Sequence, residues 1–126
     1  MILGTGFDLV AVFRFVRFME RRGERGLERL FTSAELDYCL AHRVPAPFLA
    51  ARFAAKEAFY KALGTGMATG AGGWKDVEVV RLSSGRPLLM LHGKAASRIH
   101  DLQVRIIHLS LSHTTDTAGA FVVFEA

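Results

Sequence analysis

Apolar and polar positions change period along this chain, and each change marks an element. Met1 to Phe7 is a short, mainly apolar run that predicts a strand, with Asp8 at or just beyond its end. From Val12 to about Arg22 the period becomes helical, with Val12, Phe15, Val16 and Met19 on one face and Arg14, Arg17 and Arg21 on the other. Gly23 and Gly26 predict a break or loosening of that helix. Phe31-Thr32-Ser33-Ala34-Glu35-Leu36 predicts a second helix start: Thr32 caps, Glu35 completes the capping box, and Phe31 with Leu36 forms the hydrophobic staple. Pro45 and Pro47 are expected to end this helix and open a loop before a long helix over Phe48 to Leu63.

Beyond the long helix, Gly64 to Gly73 is too glycine-dense for a regular element and suits a loop folded around a ligand. Asp76 to Leu82 and Leu88 to Leu91 alternate as strands about the turn residues Ser83-Ser84-Gly85, and Gly93 to about Asp101 suits a short helix. Ile106 to Ser112 and Ala118 to Glu125 form the strongest strand pair, joined by His113-Thr114-Thr115-Asp116-Thr117. The second of these strands is apolar on both sides at its centre, so it is expected to be covered on two faces, by a helix or by another subunit. Without repeats, low-complexity tracts or linkers, the pattern predicts one α+β domain over residues 1–126, a small antiparallel sheet packed against a long helix.

Composition narrows the function classes. The chain has 126 residues, 51% of them hydrophobic, and a mean hydropathy of +0.25, which is apolar enough to suggest an oligomer interface or a greasy cleft. No apolar run approaches membrane-spanning length, and the N-terminus lacks the basic and small-residue pattern of a secretory signal. The single cysteine, Cys39, leaves no internal disulfide and suits a reducing cytoplasm. Net charge is +4, and six arginines fall between Arg14 and Arg29, so the partner on that surface is expected to be acidic. Arg14, Arg17, Arg21 and Arg25 form a like-charged ridge beside Phe13 and Phe18, partly offset by Glu20, Glu24 and Glu28. A solvated helix face and a docking surface are both open readings of that ridge. Nucleic acid fits it poorly, because lysines are few and glutamates interleave.

The candidate chemistry lies in Arg52 to Gly66, where one carboxylate and three cations interrupt an apolar helix. Helical spacing puts Phe53, Glu57 and Tyr60 on one face and Ala51, Ala55, Ala58 and Ala62 on an opposite strip suited to close packing. Glu57 is therefore expected to be partly buried. A buried carboxylate needs a partner, and Lys61 one turn on is the local choice. A second acid, Asp8, follows the glycines of Gly4-Thr5-Gly6-Phe7-Asp8. Two acids from distant parts of a chain, beside glycine-rich turns and cations, suit Mg²⁺ bound together with phosphate. Zinc is disfavoured: Cys39 has no CxxC partner and the five histidines show no ligand spacing. A Ser112-His113-Asp116 triad is also disfavoured, since Ser112 and His113 point to opposite faces of a strand.

Gly4 to Asp8, the Arg52 to Gly66 block, Gly85-Arg86-Pro87 and Leu109-Ser110-Leu111-Ser112-His113-Thr114 stand in the order and spacing of the small bacterial holo-acyl-carrier-protein synthases. Across essentially its whole length the chain resembles a 4′-phosphopantetheinyl transferase. The resemblance implies that Asp8 and Glu57 hold Mg²⁺ against the pyrophosphate of coenzyme A and that Lys61 contacts phosphate, so that Asp8, Glu57 and Lys61 are the catalytic set. It implies coenzyme A contacts from Arg52, Lys61, Gly64, Gly66, Arg86, Pro87, Ser112, His113 and Thr114. It also implies that Arg14, Arg17 and Arg21 dock the acidic helix of an acyl carrier protein. A serine of that carrier would attack the β-phosphorus, 3′,5′-ADP would leave, and the general base stays open between a carboxylate and a metal-bound water. Relatives of this length form trimers with the coenzyme between subunits, which implies a cytoplasmic homotrimer serving fatty acid biosynthesis.

Overall fold

A computed structural model describes residues 1–64, 70 and 72–126 of the chain. Strand β1 (Ile2–Ala11) runs directly into helix α1 (Val12–Leu30), followed by α2 (Ser33–Leu40) and α3 (Ala46–Ala62). A 3-10 turn at Trp74–Asp76 leads into the hairpin β2 (Val77–Arg81) and β3 (Pro87–Leu91), then α4 (Gly93–Asp101), β4 (Ile106–His113) and β5 (Thr117–Glu125). The larger sheet has the order β1-β5-β4, antiparallel throughout, and β2 with β3 makes a second, two-stranded sheet. This is the α+β arrangement expected, with α3 at its centre. Among the described residues, no helix is long and apolar enough to cross a membrane.

Helix α3 packs on β1 and β5 with one side and on α1, α2 and β2 with the other, which is why most of it is buried all round. The alanine strip allows this. A Cβ at Gly6 would overlap the carbonyl oxygen of Ala58, and one at Gly4 that of Ala62, so the strand can lie against the helix only where both surfaces are smooth. Gly4, Gly6, Asp8 and Val10 alternate onto the helix side of β1, and Ala118, Ala120, Val122 and Phe124 of β5 line the same side. The opposite sheet face carries Phe7, Leu9 and Phe121, which remain 55%, 61% and 44% exposed.

Local signals place most boundaries, and four expectations need correction. β1 does not stop at Phe7; it continues through Asp8 to Ala11 because β5 pairs with it along that whole length. The first helix breaks at Gly23 as expected, where φ is +60°, but resumes beyond it as far as Leu30. Gly26 stays helical and buried, leaving room for the Phe18 ring, which is half-buried against Phe15. The prolines start α3 instead of ending α2: Pro45 is its cap and Pro47 sits in its first turn, where a missing N–H costs nothing.

The capping box forms as expected, with Glu35 N–H donating to Thr32 Oγ1 at 3.2 Å and Thr32 N–H to Glu35 Oε1 at 2.9 Å. Glu35 also has a second task. Fully buried, it accepts a 2.8 Å bond from Lys56 Nζ of α3, while its Oε2 accepts from Val79 N–H of β2. Lys56 spends its remaining protons on the carbonyls of Trp74 and Val77. One ion pair therefore ties α2, α3 and β2 together.

Candidate active site

Asp8 follows Gly6 on the helix side of β1, so it projects at α3 beside the point of closest approach at Ala58. There Lys61 Nζ donates to Asp8 Oδ1 at 2.8 Å and to the Phe7 carbonyl at 3.2 Å. The expected Glu57–Lys61 helix pair gives way to this cross-element contact, because β1 offers the ammonium two acceptors together. Asp8 is nearly covered, its side chain 12% exposed, whereas Lys61 lies at the rim, 54% exposed. The hydrogen bond to Asp8 holds the Lys61 pKa above the usual range despite a slight loss of hydration.

Glu57 is half-buried beside this pair. Burial pushes its carboxyl up, the negative charge of Asp8 adds to the rise, and Lys61 and Arg14 oppose it. The two acids are thus within electrostatic reach of each other. Arg14 reaches the same spot from the first turn of α1, its guanidinium 5.1 Å above the Phe53 ring. Arg17 and Arg21 continue outward along α1, Arg17 over Phe13 at 5.7 Å, and with Arg14, Phe18 and Arg22 they line a groove of about 420 Å³. The arginine ridge therefore begins at the carboxylates and runs away from them.

A second cluster lies on another face of α3. Arg52 is 3% exposed, and its guanidinium stacks 4.2 Å above Tyr38, while Arg81 covers the same ring at 5.0 Å. Nε and Nη2 of Arg52 are buried and have no acceptor among the described residues. Buried N–H groups of a cation without acceptors are costly, and an anion is one acceptor that would satisfy them. Phe48, one turn before Arg52, stacks on His42 at 3.6 Å and meets His113 edge-on at 5.0 Å, so His113 joins this cluster through aromatic contact.

The remaining candidates are spread more widely. Ser112 lies on the far face of the sheet from α3, opposite Gly119 and beside Phe7, Leu9 and Phe121, where a shallow groove of about 300 Å³ runs. Thr114 closes the β4–β5 turn, its hydroxyl oxygen accepting from the N–H groups of Asp116 and Thr117. Arg86 is exposed on the β2–β3 hairpin and Pro87 starts β3; Arg81, one register pair from the turn, is the hairpin cation that reaches Tyr38. Gly64 follows α3 with φ of +78°, its N–H donating to Lys61 O. Gly66 lies outside the described residues. Reading the chain alone missed Tyr38, His42, Phe48 and Arg81, which carry no motif and meet only through the fold. It also missed the Glu35–Lys56 pair, for which a lysine amid alanines was the available signal.

Among the described residues, no group of three or more His, Cys, Asp or Glu side chains is placed to hold a metal. Two carboxylates with an open rim instead suit a hard cation that takes few protein oxygens and fills its shell with water and phosphate, as magnesium does. Burial first, and then the negative charge of Asp8, raise the proton affinity of Glu57, and a cation shared by the two acids would offset the second of these. The donor set fits the ion.

The sequence profile of the 4′-phosphopantetheinyl transferase superfamily matches residues 4–117. The chain belongs to this superfamily. The holo-[acyl-carrier-protein] synthase of Koribacter versatilis is 49% identical over 125 residues, 99% of each chain. The crystal structure of the Neisseria meningitidis synthase superposes with a TM-score of 0.90 at 34% identity, covering 100% of both chains. The Bacillus anthracis synthase, solved in complex with CoA (3′,5′-ADP), superposes with a TM-score of 0.81 at 32% identity over 100% of this chain and 98% of that one. Likeness to these transferases thus runs through β1, α3 and the β4–β5 turn alike, and the acid pair, Arg52 and His113 all lie inside the matched span.

Proposed function

We propose that this chain transfers the 4′-phosphopantetheine group of coenzyme A to a serine of an apo acyl carrier protein, using Mg²⁺ on Asp8 and Glu57 and releasing 3′,5′-ADP, in the cytoplasm and for fatty acid biosynthesis. The observation that carries the reading is that Asp8 of β1, bonded to the rim lysine Lys61, stands within electrostatic reach of Glu57 of α3. The serine oxygen forms a bond to the β-phosphorus as its proton passes to a carboxylate or a water, while the bridging P–O bond breaks and that bond's electron pair leaves with 3′,5′-ADP. Reactions of this type depend on positioning and on neutralising charge more than on covalent help from the enzyme. Asp8 and Glu57 would hold magnesium, which would supply positive charge to offset the negative charge developing on the phosphates.

The protein's own groups complete the site. Lys61 adds charge at the rim, and the Arg52 N–H groups that lack an acceptor among the described residues offer a second, drier anion position. His113, Ser112 and Thr114 at the β4–β5 turn, Arg86 and Pro87 on the hairpin, and Gly64 and Gly66 after α3 are the further coenzyme contacts. Arg14, Arg17 and Arg21 take the acidic helix of the carrier, and the place of Arg14 against Phe53 joins that docking ridge to the acids. Ser112 faces away from α3 on a sheet surface where Phe7, Leu9 and Phe121 are exposed, which favours a homotrimer in which a neighbour covers this face and completes the cleft. Incubation with coenzyme A, Mg²⁺ and apo acyl carrier protein should add one phosphopantetheine group to the carrier, read by intact mass spectrometry. An unchanged carrier mass, or equal conversion in EDTA, overturns the reading.

A further inference from the structure

Lys61 bonds the very carboxylate that a metal on Asp8 would need. Its Nζ sits 2.8 Å from Asp8 Oδ1, and among the described residues it is the one cation paired with that acid. The geometry is that of an exchangeable partner. Lysine is a compact charge on a flexible four-carbon stem, more than half of this side chain is in water, and exposed pairs of this kind are weak. Asp8, by contrast, is fixed on a paired strand and nearly covered, so the carboxylate stays while the ammonium moves.

We propose that Lys61 holds the place of the divalent cation on Asp8: its ammonium occupies Oδ1 until metal and a phosphate-bearing ligand arrive, when the carboxylate passes to the metal and the ammonium to a phosphate oxygen. This rests on the metal and phosphate reading given above and goes beyond it, because it makes the two ligands depend on each other. Metal alone must displace the ammonium without return; coenzyme A alone meets an ammonium already engaged. With both present, each cation gains an anion, so the two ligands tighten one another by the same factor.

The test is calorimetric titration of Mn²⁺ into the full chain, with and without saturating coenzyme A and with no carrier protein, after subtraction of Mn²⁺ binding to the coenzyme itself. For the wild type, coenzyme A should tighten Mn²⁺ by about tenfold. In Lys61→Met, Mn²⁺ alone should bind about fivefold tighter than to the wild type, and the gain from coenzyme A should shrink to about twofold. Arg14→Met, which removes a nearby charge that does not bond Asp8, should stay within about twofold of the wild type. Lys61→Met binding Mn²⁺ no tighter than the wild type overturns the placeholder and leaves the metal site standing. So does Arg14→Met tightening as much as Lys61→Met, since a general field would then explain both. A wild type that binds no Mn²⁺ in either condition removes the metal reading itself, and the proposal with it. Thermal melts of each variant establish that it is folded.

Discussion

Helix α3 carries two lysines that each stand 2.8 Å from an acid, yet the two pairs have opposite characters. Lys56 and Glu35 are wholly buried, every proton of the ammonium has an acceptor, and both carboxylate oxygens are bonded. Burial pulls the Lys56 pKa down while Glu35 pulls it back, so this pair keeps its charge only because it is complete. Lys61 sits at the rim and reaches a nearly covered Asp8, with a neighbouring acid, Glu57, to which no hydrogen bond is made among the described residues. Separation alone therefore says little about a salt bridge. The number of partners and access to water decide whether a pair fixes the fold or remains open to exchange.

The largest effect that would break this contrast lies at the open pair. Asp8→Ala and Glu57→Ala should each lower the transfer rate by about a hundredfold or more, read by conversion of carrier mass over time, with melting temperature held or raised. Loss of fold in step with loss of activity would show that these acids are structural, like Glu35.

The sealed pair should respond the other way. Lys56→Ala leaves the Glu35 carboxylate buried without its cation and should cost about 3–5 kcal/mol of stability, measured by urea unfolding. The double replacement Glu35→Leu with Lys56→Met removes both charges and should recover most of that loss, to within about 2 kcal/mol of the wild type. If Lys56→Ala costs under about 1 kcal/mol, water is reaching the site and the distinction between the two lysines fails.

How much of this was legible in the chain follows from the range of each interaction. The Thr32–Glu35 capping box, the Gly23 break, the Ser83-Ser84-Gly85 hairpin and the short helix from Gly93 are local, and residue types a few positions apart specify them. The length of β1 is not local: it is set by pairing with β5 at the other end of the chain, so Asp8 falls inside a strand where only its end was expected. Partner choice is harder still. Lys61 prefers Asp8 across 53 positions to Glu57 one turn away, and Lys56 finds Glu35 across 21. Motif resemblance could name Arg52 and His113 without showing that Tyr38, Phe48 and Arg81 would gather around them, because stacking contacts between α2, α3 and the hairpin leave no periodic trace.

The smallest effect sharpens the contrast through pH. Glu57 has its folded pKa raised, first by burial and then by Asp8, so its contribution to stability is fully present below the unfolded carboxyl pKa and is lost as pH rises through the folded one. At neutral pH the ionised group therefore detracts, and Glu57→Gln should be more stable than the wild type by up to about 1 kcal/mol, an advantage that vanishes near pH 4. Glu78 belongs to the sealed network, accepting from Thr32 Oγ1 at 2.6 Å and lying 2.9 Å from His92 Nε2. Burial pushes its carboxyl up, but those hydrogen bonds and the nearby His92 and Lys56 charges outweigh it and hold the pKa below the usual range. Its stabilisation is present above the unfolded pKa and lost as pH falls through the folded one, so Glu78→Gln should be less stable at pH 7 by about 1 kcal/mol, the gap closing in acid. Urea unfolding of both variants at pH 7 and pH 4 reads the two signs directly, and a loss of stability at pH 7 in both would mean that Glu57 is as fully partnered as Glu78.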